Sequence, residues 1–157
     1  MNRPATLLVL LLAGLLAGCG GGSRPTGIRA AETPADDVAE YQPRWRSHTV
    51  DSTQYRKVFL AGTIDMGRSS DWQAALVARF RDSIGGRWLF FNPRRREFHA
   101  SPAEMEYQVA WELAHLEAAD LIVMNLLGDS RSPISLLEMG LYARSGKLFV
   151  ACSPDYY

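Results

Sequence analysis

Short apolar runs alternate with amphipathic stretches through residues 57–152 of the chain, and this alternation predicts an α/β fold. Four runs, at residues 58–62, 88–91, 121–127 and 147–152, are apolar almost throughout, which is typical of strands buried on both faces. Between them, apolar side chains recur at helical spacing over residues 71–84, 102–118 and 133–145. We therefore predict three layers, with an open parallel sheet between helices.

Capping residues mark where the predicted helices begin. Asp71, Ser101 and Ser132 each precede an amphipathic stretch as N-cap candidates, and a proline follows the last two. The stripes predicted to face the sheet are Met105, Val109, Leu113 and Leu116 on the second helix, and Ile134, Leu137, Leu141 and Tyr142 on the third. The topology predicted from these units is flavodoxin- or Rossmann-like, with strand order 2-1-3-4 and right-handed crossovers.

Two glutamates fall inside these apolar stripes. Glu138 lies within the stripe of the third predicted helix, and Glu112 lies in the middle of the second, with Gln108 one turn before it. A carboxylate is expensive to bury without partners. Pairing with an arginine would explain either one alone, but two on neighbouring units suggest a shared polar site. In open α/β sheets such a site lies beyond the carboxyl ends of the strands.

Polar residues follow the predicted strands at that edge. The candidate substrate contacts are Gly62, Asn92, Arg95, Gln108, Asn125 and Ser132, and Asp65 is a further candidate acid. The basic run at residues 94–96 has two interpretations: base or phosphate contacts, or a solvated loop. The three histidines show no ligand spacing, so we predict no metal and no cofactor. Cys152 lies in an apolar run and is interpreted as a small buried hydrophobic residue.

The N-terminus has the pattern of an export signal. Arg3 precedes an apolar stretch at residues 7–16, too short to span a bilayer. The following Leu-Ala-Gly-Cys resembles a bacterial lipoprotein box, with lipid on Cys19; the alternative is an ordinary signal peptide and a chance cysteine. We predict a signal peptide at 1–18, a lipidated cysteine and flexible linker at 19–54, and one domain at 55–157. Without Arg3, 16 of the 17 basic residues remain against 17 acidic ones, which argues against a nucleic-acid partner.

Six blocks of sequence, taken in order, resemble the nucleoside 2-deoxyribosyltransferase-like family. They are residues 58–67, 71–73, 92–95, 108–113, 119–120 and 132–140, and the likeness extends from Val58 to the end. It implies that Glu138 is the nucleophile on the sugar anomeric carbon and Glu112 an acid of the same site. Gly62 matches a glycine that lets a ligand pass close to the backbone. Either Glu112 or Asp65 would orient a sugar hydroxyl or carry a proton to the base.

The chain also departs from the family pattern. Ser132 stands where the well-characterised transferases have an acid, and Phe59 replaces a tyrosine. The chain stops just after the fourth predicted strand, whereas the family usually continues into a fifth, which implies a shorter C-terminal unit. The transferases borrow residues from a neighbouring subunit near that end, so the resemblance also implies a homo-oligomer.

Three functional hypotheses follow. The first is an enzyme, lipid-anchored in the bacterial cell envelope, that cleaves or transfers the N-glycosidic bond of (deoxy)nucleosides or nucleotides through a glycosyl ester on Glu138. The second is a catalytically silent module that binds a nucleotide or an ADP-ribose-like ligand, which would explain Ser132. The third is a surface interaction platform on a lipid tether.

Overall fold

The four apolar runs form neighbouring strands of one six-stranded sheet. The computed structural model describes residues 37–97, 99, 101–128 and 130–156. Its strands are β1 (Val38–Gln42), β2 (Trp45–Arg46), β3 (Arg56–Gly62), β4 (Trp88–Phe91), β5 (Leu121–Leu126) and β6 (Leu148–Cys152), and its helices are α1 (Trp72–Ser83), α2 (Pro102–Ala118) and α3 (Pro133–Tyr142). Short 3₁₀ turns occupy Ser52–Gln54 and Asp65–Gly67.

The sheet order is β2-β1-β4-β3-β5-β6. The four strands predicted from sequence therefore lie in the predicted order 2-1-3-4, and all of them pair in parallel. The three-layer α/β class is confirmed, and two strands that were not predicted extend the sheet at one edge.

These two strands correct the predicted linker. β1 pairs in parallel with β4, and β2 turns back on β1 as an antiparallel hairpin. Val38 and Ala39 are buried in the core. The prediction of a flexible linker is therefore wrong from residue 37 onward, because a short strand with a charged residue at its centre lacks the continuous apolar run of the other parallel strands. The signal peptide, Cys19 and residues 20–36 lie outside the described residues.

The two faces of the sheet carry different helices. α1 packs on one face, where Leu76 and Phe80 meet Leu60 and Phe90. α2 and α3 pack side by side on the other, where Leu116 and Met139 meet the core around Phe59. Within the described part of the chain, no helix is long and apolar enough to cross a membrane.

Both apolar stripes predicted to face the sheet on α2 and α3 are largely exposed. On α3 the exposed side chains are Ile134, Leu137 and Leu141, at 61–67%. On α2 they are Met105, Val109 and Leu113, at 46–49%; of that predicted stripe only Leu116 is buried. Helical spacing fixes the angles between residues but not which direction faces the sheet. Cys152 is also exposed, because β6 is an edge strand with its side chains only partly covered.

Candidate active site

Two carboxyl groups, Glu112 on α2 and Glu138 on α3, lie close enough to interact electrostatically. Glu138 is 9% exposed and Glu112 is partly buried. Burial, reinforced by the nearby charge of Glu112, raises the pKa of Glu138 to about 8. Burial also raises the pKa of Glu112, while a hydrogen bond from Gln108 and the charge of Arg95 oppose that rise. The two acids therefore interact electrostatically across neighbouring helices.

Helix α3 turns a mixed polar and apolar face toward the sheet. Ser135 and Glu138 are buried and Leu136 and Met139 pack partly against the core, whereas Ile134, Leu137 and Leu141 point outward. The helix begins at Pro133 after Ser132, whose φ of 42° is left-handed and whose side chain does not cap the helix. The predicted N-cap position is thus correct, but the side-chain cap is not formed.

A hydrogen-bonded chain holds Glu112 from the side away from Glu138. Gln108 Nε2 donates to Glu112 Oε1 at 2.5 Å and to the carbonyl of Pro93 at 3.0 Å. Gln108 Oε1 accepts from Arg95 Nε, and Arg95 Nη1 pairs with Glu104. Gln108 and Arg95 were predicted to contact substrate, but the structure uses both to support Glu112.

The basic run at residues 94–96 is not a solvated loop. Arg94 is buried and donates to Gln73 and to the backbone and hydroxyl oxygens of Ser69. Arg95 joins α2 as described, and the Arg96 guanidinium lies 3.9 Å from the ring centre of Trp45 in β2. Each arginine thus ties the loop after β4 to a different element.

The two asparagines predicted to contact substrate lie away from the glutamates. Both ends of the Asn92 side-chain amide are engaged, with Nδ2 donating to Glu40 and Oδ1 accepting from the Arg94 amide. Asn125 lies on β5 two residues after Val123, which packs on the α1 side. Strand alternation puts Asn125 on that side too, opposite α2 and α3. The substrate-contact interpretation is therefore not supported for either residue.

Gly62 is required by strand packing. Its φ is 114°, and a Cβ there would lie 2.2 Å from the backbone oxygen of Asn125. Close approach of β3 to β5 therefore accounts for this glycine without a ligand. Asp65, with φ 48°, forms an ion pair with Arg68 at 2.9 Å, and no contact found among the described residues links it to Glu112 or Glu138.

A cluster of hydroxyl groups joins the loops after β3 and β5. Thr63 Oγ1 lies 2.7 Å from Ser132 Oγ and accepts from the Leu127 amide at 3.0 Å. Ser130 Oγ lies 3.3 Å from Ser132 Oγ. The sequence analysis found Ser132 but missed Thr63, whose only signal was its position directly after the glycine that ends β3.

A shallow hollow of about 490 Å³ lies away from these acids, between Val50, Tyr55 and Arg87. Asp51 accepts from Thr53 and Arg87 contacts Gln54 and Asp37, whereas the buried Nε2 of His48, which also lines the hollow, has no hydrogen-bond partner among the described residues. In the described part of the chain, no group of three or more His, Cys, Asp or Glu side chains could hold a metal.

The fold and the paired acids define an α/β protein with a candidate site for a small polar ligand. The sheet is mostly parallel, and the two coupled carboxyls lie on the helices that pack on one of its faces. The sequence model of the family described as "Nucleoside 2-deoxyribosyltransferase like" matches residues 55–156. Because this match covers well over half of the chain, the chain belongs to that family. A search of curated protein sequences finds no match.

Proposed function

We propose that this chain cleaves or transfers the N-glycosidic bond of (deoxy)nucleosides or nucleotides, with Glu138 as the nucleophile. The observation that carries the proposal is the burial of Glu138 on the inner face of α3, although Ile134, Leu137 and Leu141 of the same helix remain exposed. Burying a carboxyl group beside a second one opposes folding. A catalytic role for the two acids explains why this unfavourable burial is retained. Family membership supports a nucleoside substrate.

The mechanism uses one proton shared by two carboxyls. Because the charge of Glu112 opposes ionisation of Glu138, the pair retains a single proton over the neutral range. At rest that proton lies on Glu138, whose pKa is raised to about 8. Its transfer to Glu112 leaves a Glu138 carboxylate that attacks C1′, while Glu112 protonates the departing base. The C1′–N bond breaks as a C1′–O bond to Glu138 forms, and water or a second base then resolves the ester.

The test is base release from deoxynucleosides by the full-length chain, with and without a second free base. We expect turnover in the wild type, a loss of at least about 10³-fold in Glu138→Gln, and a decline in kcat/KM above about pH 8 as the pair loses its proton. Glu117→Gln, which changes an exposed glutamate on α2, is the matched control. Full activity in Glu138→Gln would contradict the assignment of the nucleophile.

The hydroxyl cluster favours a second candidate function. Ser132 stands where the related transferases carry an acid, and it lies beside the hydroxyl groups of Thr63 and Ser130. Such a cluster suits a phosphate or sugar hydroxyl without proton transfer. A silent nucleotide-binding module would bind deoxynucleosides or their 5′-phosphates in calorimetry and release no base. Binding without turnover in the wild type would support this second function.

The location at the cell envelope remains a proposal that rests on the sequence. If Cys19 carries lipid, residues 20–37 separate it from the first strand. A chain of that length reaches at most about 60 Å. The domain would then remain close to the membrane surface.

We also propose that the chain self-associates through α2 and α3. Six exposed apolar side chains occupy these neighbouring helices: Met105, Val109, Leu113, Ile134, Leu137 and Leu141. Exposed acids Glu106 and Glu117 lie on α2, whereas exposed Arg131 and Arg144 flank α3. A two-fold axis that sets α2 of one copy against α3 of the other would therefore join apolar stripes and opposite charges together.

A further inference from the structure

We propose that the β1–β2 hairpin is a positioning element for Glu112, acting through Arg44, Glu104, Arg95 and Gln108. The hairpin precedes the segment matched by the family model. This inference deepens the proposed function, since it concerns the same pair of acids.

The first step is the orientation of the Gln108 amide. Arginine has only hydrogen-bond donors, so the Gln108 atom that faces Arg95 Nε must be Oε1. Nε2 then faces the Pro93 carbonyl and Glu112 Oε1, and both of these accept. All three hydrogen bonds of the Gln108 amide are formed in this orientation, and exchanging its oxygen and nitrogen would break them. Gln108 is therefore fixed as a donor to Glu112.

The second step is the immobilisation of Arg95. Its side chain is 7% exposed, and it forms a 2.5 Å ion pair with Glu104. Its Nη2 also donates to the Glu104 carbonyl at 3.3 Å. A guanidinium fork held at two points cannot rotate away from Gln108 without leaving a buried charge unpaired.

The third step brings in the hairpin. Arg44, in the turn between β1 and β2, donates to both carboxylate oxygens of Glu104, at 2.8 and 3.3 Å. Its guanidinium also lies 4.1 Å from the ring centre of Tyr107, and its amide donates to the Tyr107 hydroxyl at 3.3 Å. Its φ of 63° is left-handed, a conformation that bulky residues adopt only when their surroundings hold them.

The two carboxyl oxygens of Glu112 therefore have different roles. Because Gln108 occupies Oε1, proton exchange with Glu138 or with a departing base falls to Oε2. The charged groups that act on Glu112 are Arg95, from the loop after β4, and Glu138, from α3. Gln108 and Arg95 both favour the ionised form of Glu112, which makes its protonated form the better acid toward the base.

The test is a ¹³C NMR titration of the glutamate carboxyls in the full-length chain without substrate. In Gln108→Met we expect the pKa of Glu112 to rise by about one unit, since a hydrogen bond to the charged form is lost. In Arg44→Met we expect a smaller rise in the same direction. Arg46→Met is the control, because it removes an arginine of the same hairpin that lies over Tyr41 and has no contact with Glu104.

An unchanged Glu112 pKa in Arg44→Met, or an equal shift in Arg46→Met, would overturn the proposal. If Arg44→Met does not fold, Glu104→Gln severs the same chain of contacts while it preserves side-chain shape. The kinetic arm predicts about a tenfold loss of kcat in Gln108→Met with little change in KM. If the wild type turns over no nucleoside, the proposed function fails, but the NMR arm still decides whether the hairpin positions Glu112.

Discussion

The two faces of the sheet are built on opposite principles. α1 is an ordinary amphipathic helix: Leu76, Val77 and Phe80 are 1–5% exposed, and Phe80 meets Trp88 and Phe90 edge-on at centroid distances of 4.9 and 5.1 Å. α3, on the other face, buries Ser135 and Glu138 beside the partly buried Leu136 and Met139, and exposes Ile134, Leu137 and Leu141. The apolar packing of α1 stabilises the fold, whereas the buried carboxyl group of α3 opposes it.

This difference separates the residues that hold the sheet together from those that serve the site. Aliphatic side chains remove most apolar surface from water when they face a sheet. α3 places a carboxyl group in that position instead, and a second carboxyl on α2 raises its pKa further. Burial of such a pair opposes folding, so we assign the proposed function to the α2–α3 face.

The largest expected effect on stability comes from a comparison of alanine substitutions at two leucines, one on α1 and one on α3. Leu76→Ala on α1 should lower the free energy of unfolding by about 2–5 kcal/mol, because it opens a cavity in a packed core. Leu137→Ala on α3 should change it by less than about 0.5 kcal/mol, since that side chain is 66% exposed. Urea unfolding at low protein concentration measures both. Equal losses in the two variants would contradict the outward orientation of α3.

A second prediction concerns the pH dependence of the free energy of unfolding, to which the buried Glu138 contributes. Its pKa in the folded chain is raised to about 8, so its contribution to stability is fully present below its unfolded pKa and is lost as pH rises toward 8. In the wild type this should remove on the order of 3 kcal/mol between pH 5 and pH 8.

The matched variant for this prediction is Glu138→Gln, which keeps the shape and removes the charge. Its free energy of unfolding should lack that loss and should exceed the wild-type value at pH 8. Unfolding curves at several pH values measure the difference. Parallel pH profiles for the two proteins would mean that Glu138 ionises as freely as an exposed glutamate.

The same contrast explains what the sequence could predict. α1 was predicted with its N-cap, Asp71, which accepts from the Ala74 amide as expected, because every local signal agrees with its tertiary environment. For α3 the helix and the inward direction of Glu138 were predictable, but the aliphatic stripe was wrong. Ile134 and Leu141 lie within about 60° of Glu138 on the helical wheel, so a small rotation decides which of them the sheet covers.

Long-range partners account for the remaining misses. Val38 was predicted to lie in a linker, because its pairing with Trp88 on the neighbouring strand is not visible in the local sequence. The contacts of Arg95 with Glu104 and Gln108 could not be predicted from the residues next to it in the sequence. Cys152 was predicted to be buried but is exposed, because an apolar run does not reveal that its strand lies at the edge of the sheet. Each of these depends on contacts between residues far apart in sequence.

The variant with the smallest expected effect on stability tests whether the exposed apolar side chains of α3 form a dimer interface. Leu137→Glu should fold like the wild type, because the side chain is 66% exposed. It should nevertheless abolish self-association, since it sets a negative charge against the apolar stripe and the exposed acids of α2 in the second copy. Light scattering across a concentration series measures this, with Glu106→Arg expected to weaken association less. Arg79→Glu, an exposed change on α1, is the control. A wild type that remains monomeric at every concentration would contradict the proposed dimer and leave the apolar stripes without their partner.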